Sequence, residues 1–229
     1  MAYSHGTPNS IVKDGLVFYV DAANKVSYPG SGTSWKDLIS NQAGTLTNGP
    51  TFSSLGNGSI LFDGTLNSGT NDCVVDIPSF NIPGAKTVSF WVLWNNNGGA
   101  GVYGALFGKS DSAGTYYPFI RTYGSNPQTK VWIYQDASTG TTLDWDVVPD
   151  YNRWYHICIT GNGSTANLYI DKVLTDSGKT DRTLNVDQIN AVQNNYGMDG
   201  NISNMQIYNR QLSASEVAQN YNAIKGRFI

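Results

Sequence analysis

Apolar and polar residues alternate along most of this chain, in short runs separated by Gly, Asn, Ser and Pro. Runs of this kind, rich in β-branched and aromatic residues, predict β-strands that alternate with turns. Their number and spacing predict two packed antiparallel sheets. The predicted strands cover residues 15–20, 59–62, 73–77, 87–94, 103–109, 117–122, 131–135, 142–147, 154–160, 166–170 and 202–208.

Two local patterns refine this picture. The strands at 154–160 and 166–170 flank Gly161-Asn162-Gly163-Ser164, and because Asn-Gly accepts positive φ angles, the pattern predicts a hairpin with a type I′ turn. In the strand at 202–208 the apolar residues are Ile202, Met205 and Ile207. The alternation breaks between the first two, which predicts a β-bulge.

One helix is predicted near the C-terminal end of the sequence. Ser213 and Glu216 have the spacing of a capping box, and Gly226 stands where a helix commonly ends. An apolar stripe on this helix would pack on the sandwich; it consists of Val217, Tyr221 and Ile224. The prediction is an all-β sandwich with one short C-terminal helix.

Composition agrees with one sandwich domain. Of the 229 residues, 40% are hydrophobic, 14% are charged, and the formal net charge is −3. This charge argues against a nucleic-acid partner, and the absence of a long apolar run argues against a membrane partner. We predict a flexible arm at residues 1–12 and a single domain at 13–229. The polar start of the sequence also predicts that there is no signal peptide.

The residue inventory disfavours an enzyme. Only one Glu is present, Glu216, and the capping box accounts for it. Asp144 and Asp146 stand two residues apart on one predicted strand, but a pair of exposed Asp is more often a solvated face than a catalytic couple. His156 is predicted to be a hydrogen-bonded core residue, and Cys73 and Cys158 are interpreted as small core residues, with a disulfide left open.

Four segments resemble the laminin G-like, concanavalin A-like lectin/glucanase sandwiches. They are residues 14–22 (DGLVFYVDA), 59–64 (SILFDG), the hairpin WYHI at 154–157 with LYID at 168–171, and 200–217 (GNISNMQIYNRQLSASEV). The resemblance implies a jelly-roll sandwich. It also implies a comparison with laminarinase-like enzymes, whose paired-glutamate strand this chain lacks, so a non-enzymatic protein is expected.

A narrower resemblance links the chain to structural proteins of tailed phages that carry this domain. It rests on residues 27–38 (SYPGSGTSWKDL), 44–52 (GTLTNGPTF) and 220–228 (NYNAIKGRF). The resemblance implies a virion surface protein, such as a capsid decoration protein, head fibre or tail-fibre component. It would assemble in the host cytoplasm, with other virion proteins and copies of itself as partners. The alternative is an adhesin or lectin module that binds host-surface glycans.

The resemblance also suggests two kinds of site. Many members of the family bind calcium, a cation that prefers oxygen ligands. The candidate ligands here are Asp21, Asp63 and Asp199. The family commonly has an acidic ligand at the position that matches Ser203 or Asn204, and both of these residues are neutral. No other cofactor is expected. Sugar binding requires exposed aromatic rings beside polar groups. Those candidates are Trp94, Asn96, Tyr117, Arg121, Trp132 and Trp145. Trp and Tyr at strand spacing are, however, more often core or protein-interface residues.

Overall fold

A computed structural model of the protein describes residues 10–63, 73–95, 104–109, 117–125, 128–134, 140–145, 149–190 and 198–229. The helical elements are α1 (Ala214–Ile224) and two short 3₁₀ turns (Leu55–Asn57 and Lys225–Arg227). The strands are β1 (Leu16–Asp21), β2 (Ser34–Lys36), β3 (Ala43–Thr47), β4 (Thr51–Ser53), β5 (Ser59–Asp63), β6 (Val74–Ile82), β7 (Ala85–Trp94), β8 (Gly104–Lys109), β9 (Tyr117–Ser125), β10 (Gln128–Tyr134), β11 (Gly140–Trp145), β12 (Trp154–Asn162), β13 (Thr165–Ile170), β14 (Val173–Thr180), β15 (Leu184–Ile189) and β16 (Asp199–Tyr208).

The strands form two antiparallel sheets that pack face to face. The first sheet has the order β14-β13-β12-β7-β16-β5-β4, and β1 also pairs with β16. The second sheet has the order β11-β10-β9-β8-β15-β6-β3-β2. The prediction of an all-β jelly-roll sandwich with a short C-terminal helix is confirmed. The sequence pattern did not predict β2, β3, β4, β14 and β15.

Strand β7 shows why both of its faces are apolar. Val88, Phe90 and Val92 alternate into the core between the two sheets. Trp91 and Leu93, which point the other way, belong to a second cluster that also contains Ile224 of the C-terminal helix. Because a layer covers each face, the strand has no solvated side, and alternation of polar and apolar residues is lost.

The predicted hairpin and bulge are both present. β12 and β13 pair from Ile157↔Ile170 to Gly161↔Ala166. The turn differs from the prediction: of the two residues expected at positive φ only Gly163 has it (φ 91), and the two-residue loop is Gly163-Ser164. A single glycine at the first central position is typical of a type II′ turn. The register of β16 against β7 shifts between Ile202 and Asn204, which is the predicted bulge.

The C-terminal helix closes the outer face of the first sheet. Val217 and Leu212 pack with Cys158, Tyr169 and Tyr208 of the strands beneath them. The capping box of Ser213 and Glu216 is present. The helix passes directly into the 3₁₀ turn at Lys225–Arg227 instead of ending in a left-handed residue at Gly226. We call this outer face, with its cover, the helix-covered face.

The start of the described chain also packs on this face. Val12 is buried, its backbone N–H donates to Asn220 Oδ1 at 2.8 Å, and its carbonyl accepts from the Tyr208 hydroxyl at 3.0 Å. Ile11 packs against the neighbouring cluster around Trp91. Residues 11 and 12, which the sequence pattern assigned to a flexible arm, are therefore part of the packed domain.

Candidate functional site

Two of the aromatic candidates lie inside the sandwich. Trp94 and Trp145 are 3% and 4% exposed, and their ring centroids are 6.3 Å apart. Tyr155 packs against both, with centroid distances of 6.0 Å to Trp94 and 5.1 Å to Trp145. These two residues are therefore core residues, the alternative that strand spacing favours. Trp94 of the first sheet and Trp145 of the second both lie between the two sheets, so neither ring can stack on a sugar at the surface.

The other sugar-binding candidates remain predictions. Asn96 lies outside the described residues. Tyr117 begins β9, opposite Lys109 of β8. Trp132 of β10 lies directly opposite Arg121 of β9 and Thr142 of β11. The sheet register thus brings Trp132 and Arg121 together, and these two residues stand in the second sheet, away from the helix-covered face.

The three candidate calcium ligands do not converge. Asp63 and Asp199 lie directly opposite each other on β5 and β16. Asp21 lies opposite Asn204, which is five residues further along β16. Five strand residues span about 16 Å, so Asp21 is far from the other two carboxylates. In the described part of the chain, no group of three His, Cys, Asp or Glu residues has the geometry of a metal site. The three candidates therefore do not share one site in the described residues, and calcium binding by any of them stays a prediction.

Asp21 instead holds the C-terminal segment. Its two carboxylate oxygens each accept from Arg227 Nη1 at 2.9 Å, and the Tyr19 hydroxyl donates to it at 3.0 Å. Arg227 also donates through Nε to the Gly56 carbonyl at 3.1 Å. Desolvation raises the pKa of Tyr19 far above its ordinary value, and the Asp21 charge adds to this effect. This ion pair joins residues 206 positions apart, so no local sequence pattern predicts it.

His156 and Ser89 form a hydrogen-bonded pair that the sequence pattern did not predict. Ser89 Oγ lies 2.8 Å from His156 Nε2, a distance that also suits a nucleophile and its general base. Both residues are buried under the helix-covered face, with Ser89 2% exposed and His156 1% exposed. Burial lowers the pKa of His156 to about 3, so the ring is neutral and sealed from substrate. The prediction of a hydrogen-bonded core histidine is confirmed.

The cysteines and the carboxylates have structural roles. Cys73 and Cys158 are free and buried, as interpreted from the sequence, and burial raises the pKa of the Cys73 thiol to about 11. Glu216 accepts from Arg210 Nη2 at 2.6 Å and from the Ser213 backbone N–H at 2.8 Å. These bonds lower the pKa of Glu216 to about 2. Asp144 lies 3.8 Å from Lys179 Nζ, and Asp146 lies outside the described residues.

A buried ion pair beside the β12–β13 turn was also not predicted. Lys86 Nζ lies 2.8 Å from Asp181 Oδ1, and the two side chains are only 4% and 2% exposed. Asp181 also accepts from the Gly163 backbone N–H at 2.8 Å, so it anchors the β12–β13 turn. A buried charge pair of this kind constrains the local fold.

The fold and the sequence together identify the family. The family model of the concanavalin A-like lectin/glucanases superfamily (Laminin_G_3) matches residues 67–218, more than half of the chain. The chain belongs to this superfamily. No protein of curated function matches this concanavalin A-like chain significantly in sequence.

Several solved structures share this concanavalin A-like fold. Domain 4 of AbnA, a GH43 extracellular arabinanase from Geobacillus stearothermophilus solved in complex with arabinotriose, has a TM-score of 0.65 at 16% identity, covering 92% of this chain and 100% of that chain. Botulinum neurotoxin type C, described as depending on two ganglioside molecules for cell entry, has a TM-score of 0.60 at 14% identity, covering 92% and 51%. Trypanosoma rangeli sialidase in complex with the inhibitor DANA has a TM-score of 0.62 at 13% identity, covering 100% and 36%.

These similarities establish the fold. The chain spans about half of the neurotoxin structure and about a third of the sialidase structure. Identities of this size place no catalytic residue on this chain, because unrelated functions share folds. Among the described residues, no helix combines the length and apolarity needed to cross a membrane.

Proposed function

We propose that this chain is a non-catalytic carbohydrate-binding module displayed on the surface of a virion. The observation that carries the binding role is the lectin-like sandwich itself, whose structural neighbours include a domain solved with arabinotriose and a toxin described as interacting with gangliosides. In such a module, recognition requires surface aromatic and polar groups. The second sheet offers the remaining candidates, since the helix-covered face of the first sheet is occupied.

The absence of catalysis is supported by the uses of the ionisable groups. Glu216 is held by Arg210 and by the helix cap. His156 is buried and neutral. A glycosidase needs two carboxyls with different proton affinities that flank a bound sugar. Asp21, Asp181 and Glu216 each have a cationic partner within the fold, so they serve structure.

The virion location is supported by the resemblance of residues 27–38, 44–52 and 220–228 to tailed-phage structural proteins. Two of these segments meet in the fold, where Tyr28 stacks on Phe52 with ring centroids 5.8 Å apart. On this proposal the chain assembles in the host cytoplasm with other virion proteins. It also associates with itself, because virion components are commonly symmetric oligomers.

The binding role is tested with the purified chain on an array of neutral and acidic glycans, followed by titration calorimetry on the best ligands. We expect saturable binding to at least one glycan class without turnover. An array without any saturable ligand contradicts the binding role. Electron microscopy of virions labelled with an antibody against the chain tests the location, and label confined to unassembled material contradicts it.

A lectin module outside any virion is the second candidate. The ganglioside interaction of the similar neurotoxin structure favours it. Glycan binding by the isolated chain, together with a monomeric state by light scattering and no incorporation into particles, would select this candidate.

A further inference from the structure

The faces of the second sheet are assigned by its register at β11. Leu143 and Trp145 are 0% and 4% exposed and belong to the core between the sheets. Thr142 and Asp144, which alternate with them, are half-exposed, with 33% of the Asp144 side chain accessible. In a strand, successive residues belong to opposite faces. Thr142 and Asp144 therefore mark the outer face of this sheet.

The register extends this assignment to β10. Val131 lies opposite Leu143, while Lys130 lies opposite Asp144 and Trp132 lies opposite Thr142. Residues directly opposite in an antiparallel pair share one face of the sheet. Lys130 and Trp132 are therefore outer-face positions, as is Tyr134, which is two residues further on.

The same reasoning reaches β9. Lys130 lies opposite Tyr123, and Trp132 lies opposite Arg121. The outer face of β9 and β10 thus combines three aromatic residues with two cations in adjacent register positions. We call this set the aromatic-basic face; it consists of Arg121, Tyr123, Lys130, Trp132 and Tyr134.

The two cationic positions of this face have different cross-strand neighbours. Lys130 lies opposite Asp144 of β11. Arg121 lies opposite Trp132 of β10 and Ala105 of β8, both of which are uncharged residue types. An arginine and a tryptophan at opposite register positions suit a ligand that carries both a carboxylate and a sugar ring, because guanidinium groups pair with carboxylates in bidentate fashion.

We propose that the aromatic-basic face binds a carboxylate-bearing saccharide, with Trp132 as the stacking residue and Arg121 as the carboxylate-binding residue. This inference rests on the proposed function and names its ligand class and its place. A saccharide is favoured over single-stranded nucleic acid, which also uses aromatic residues with cations, because the chain carries a net charge of −3. A phosphate backbone requires a broader excess of positive charge.

The test compares paired ligands that differ only in the carboxylate. An oligogalacturonate is measured against its carboxyl-reduced form, and 3′-sialyllactose against lactose, by calorimetry at low and at moderate salt. We expect at least one acidic ligand to bind about tenfold more tightly than its neutral partner, with a ratio that falls as salt rises. Arg121→Gln should bring the ratio close to one, and Trp132→Ala should abolish binding of both members.

Two control variants make the corresponding changes elsewhere, the loss of one positive charge and the loss of one aromatic ring. Lys25→Gln removes a cation at an exposed residue of another region, and Tyr151→Ala removes a ring that is 43% exposed; both should bind as the parent does. Thermal unfolding of every variant verifies the fold, which is expected to be kept because outer-face positions do not line the core.

The outcomes separate this inference from the proposed function. Equal binding of acidic and neutral partners, or an acidic preference that Arg121→Gln leaves unchanged, overturns the inference while the carbohydrate-binding role stands. Tighter binding of a single-stranded oligonucleotide than of any saccharide overturns the ligand class. A parent chain that binds no glycan of the wider array contradicts the proposed function as well.

Discussion

Gly161 lies beneath the Asp181 carboxylate where β12 enters its turn. A Cβ at Gly161 would overlap the carboxylate carbon and oxygens of Asp181, which are already held by Lys86 at 2.8 Å. Gly161→Ala should therefore destabilise the domain by about 1–3 kcal/mol, the usual cost of overpacking. Urea unfolding measures it. Gly226→Ala is the matched control, because open space surrounds Gly226, and an equal loss in both variants would contradict this explanation.

His156 makes the stability depend on pH. Its folded-state pKa of about 3 lies below the ordinary 6.5 of the unfolded chain because the ring is buried. Between these values the unfolded state binds more protons, so the free energy of unfolding rises with pH and falls as pH is lowered. We expect a slope approaching about 1.4 kcal/mol per pH unit from this group below its unfolded pKa.

The variant His156→Gln isolates this contribution. Denaturant unfolding of parent and variant is compared from pH 7 to pH 5, a window above the ordinary pKa of 4.5 at which Glu216 is half-protonated in the unfolded chain. The free energy of unfolding of the parent should fall towards that of the variant as pH is lowered, because only the parent has an imidazole that becomes protonated on unfolding. If the free energies of unfolding of parent and variant changed with pH in parallel, burial of His156 would not be the cause of the pH dependence.

At the scale of elements, the C-terminal helix begins with a reciprocal cap. Ser213 Oγ accepts from the Glu216 backbone N–H at 3.3 Å, and Glu216 Oε2 accepts from the Ser213 backbone N–H at 2.8 Å. Ser213→Ala removes one of these bonds and should cost about 1 kcal/mol in thermal or urea unfolding. Ser215→Ala lies two residues further into the helix and should change stability by only a few tenths of a kcal/mol.

Removal of the helix should uncover the first sheet. Val217 is fully buried and Ile224 is 8% exposed, and full burial of such side chains contributes about 1.5–3 kcal/mol each. A chain that ends at Leu212 should therefore melt at a much lower temperature than the parent, or bind a hydrophobic dye before heating. A chain that lacks only Ile229, which is 79% exposed, is the control.

A less drastic variant separates docking of the helix from failure to fold. Val217→Ala keeps the helix and removes two methyl groups from its contact with Cys158 and Tyr208. It should lower the free energy of unfolding by about 1–2 kcal/mol. If the chain that ends at Leu212 melted at the same temperature as the parent, the conclusion that the helix covers an apolar face of the first sheet would be contradicted.

For the molecule as a whole, we expect no hydrolysis of β-glucans or other glycans. Asp144 and Asp146 are the two carboxylate residues closest in the sequence, and a catalytic pair of carboxyls needs different proton affinities. The parent, Asp144→Asn and Asp146→Asn are incubated with a glycan panel, and released reducing ends are measured. Turnover by the parent that either variant abolishes would restore the enzyme hypothesis.

Much of the architecture follows from local pattern. The β-branched and aromatic runs of β7 and β12, the capping box at Ser213 and the parity break at Ile202 each depend on residues a few positions apart. Such patterns determine which residues share a face and where an element starts, so sequence alone predicts them. β14 escaped the prediction because its run of exposed residues, with Gly178 at positive φ, has no alternation. It forms a strand because it pairs with the backbone of β13 at the edge of the first sheet.

What covers each face was decided by the tertiary structure. Period-two alternation assigns Trp94 and Trp145 each to one face of a strand but does not say whether solvent or the opposite sheet covers that face, and here the opposite sheet covers it in both cases. The partner of Asp21 is 206 residues away at Arg227, so its role as an anchor depends on the packing of two distant segments. Short-range spacing determined the strands, the bulge and the helix cap of this protein, whereas burial and charge pairing arose only when distant segments packed together.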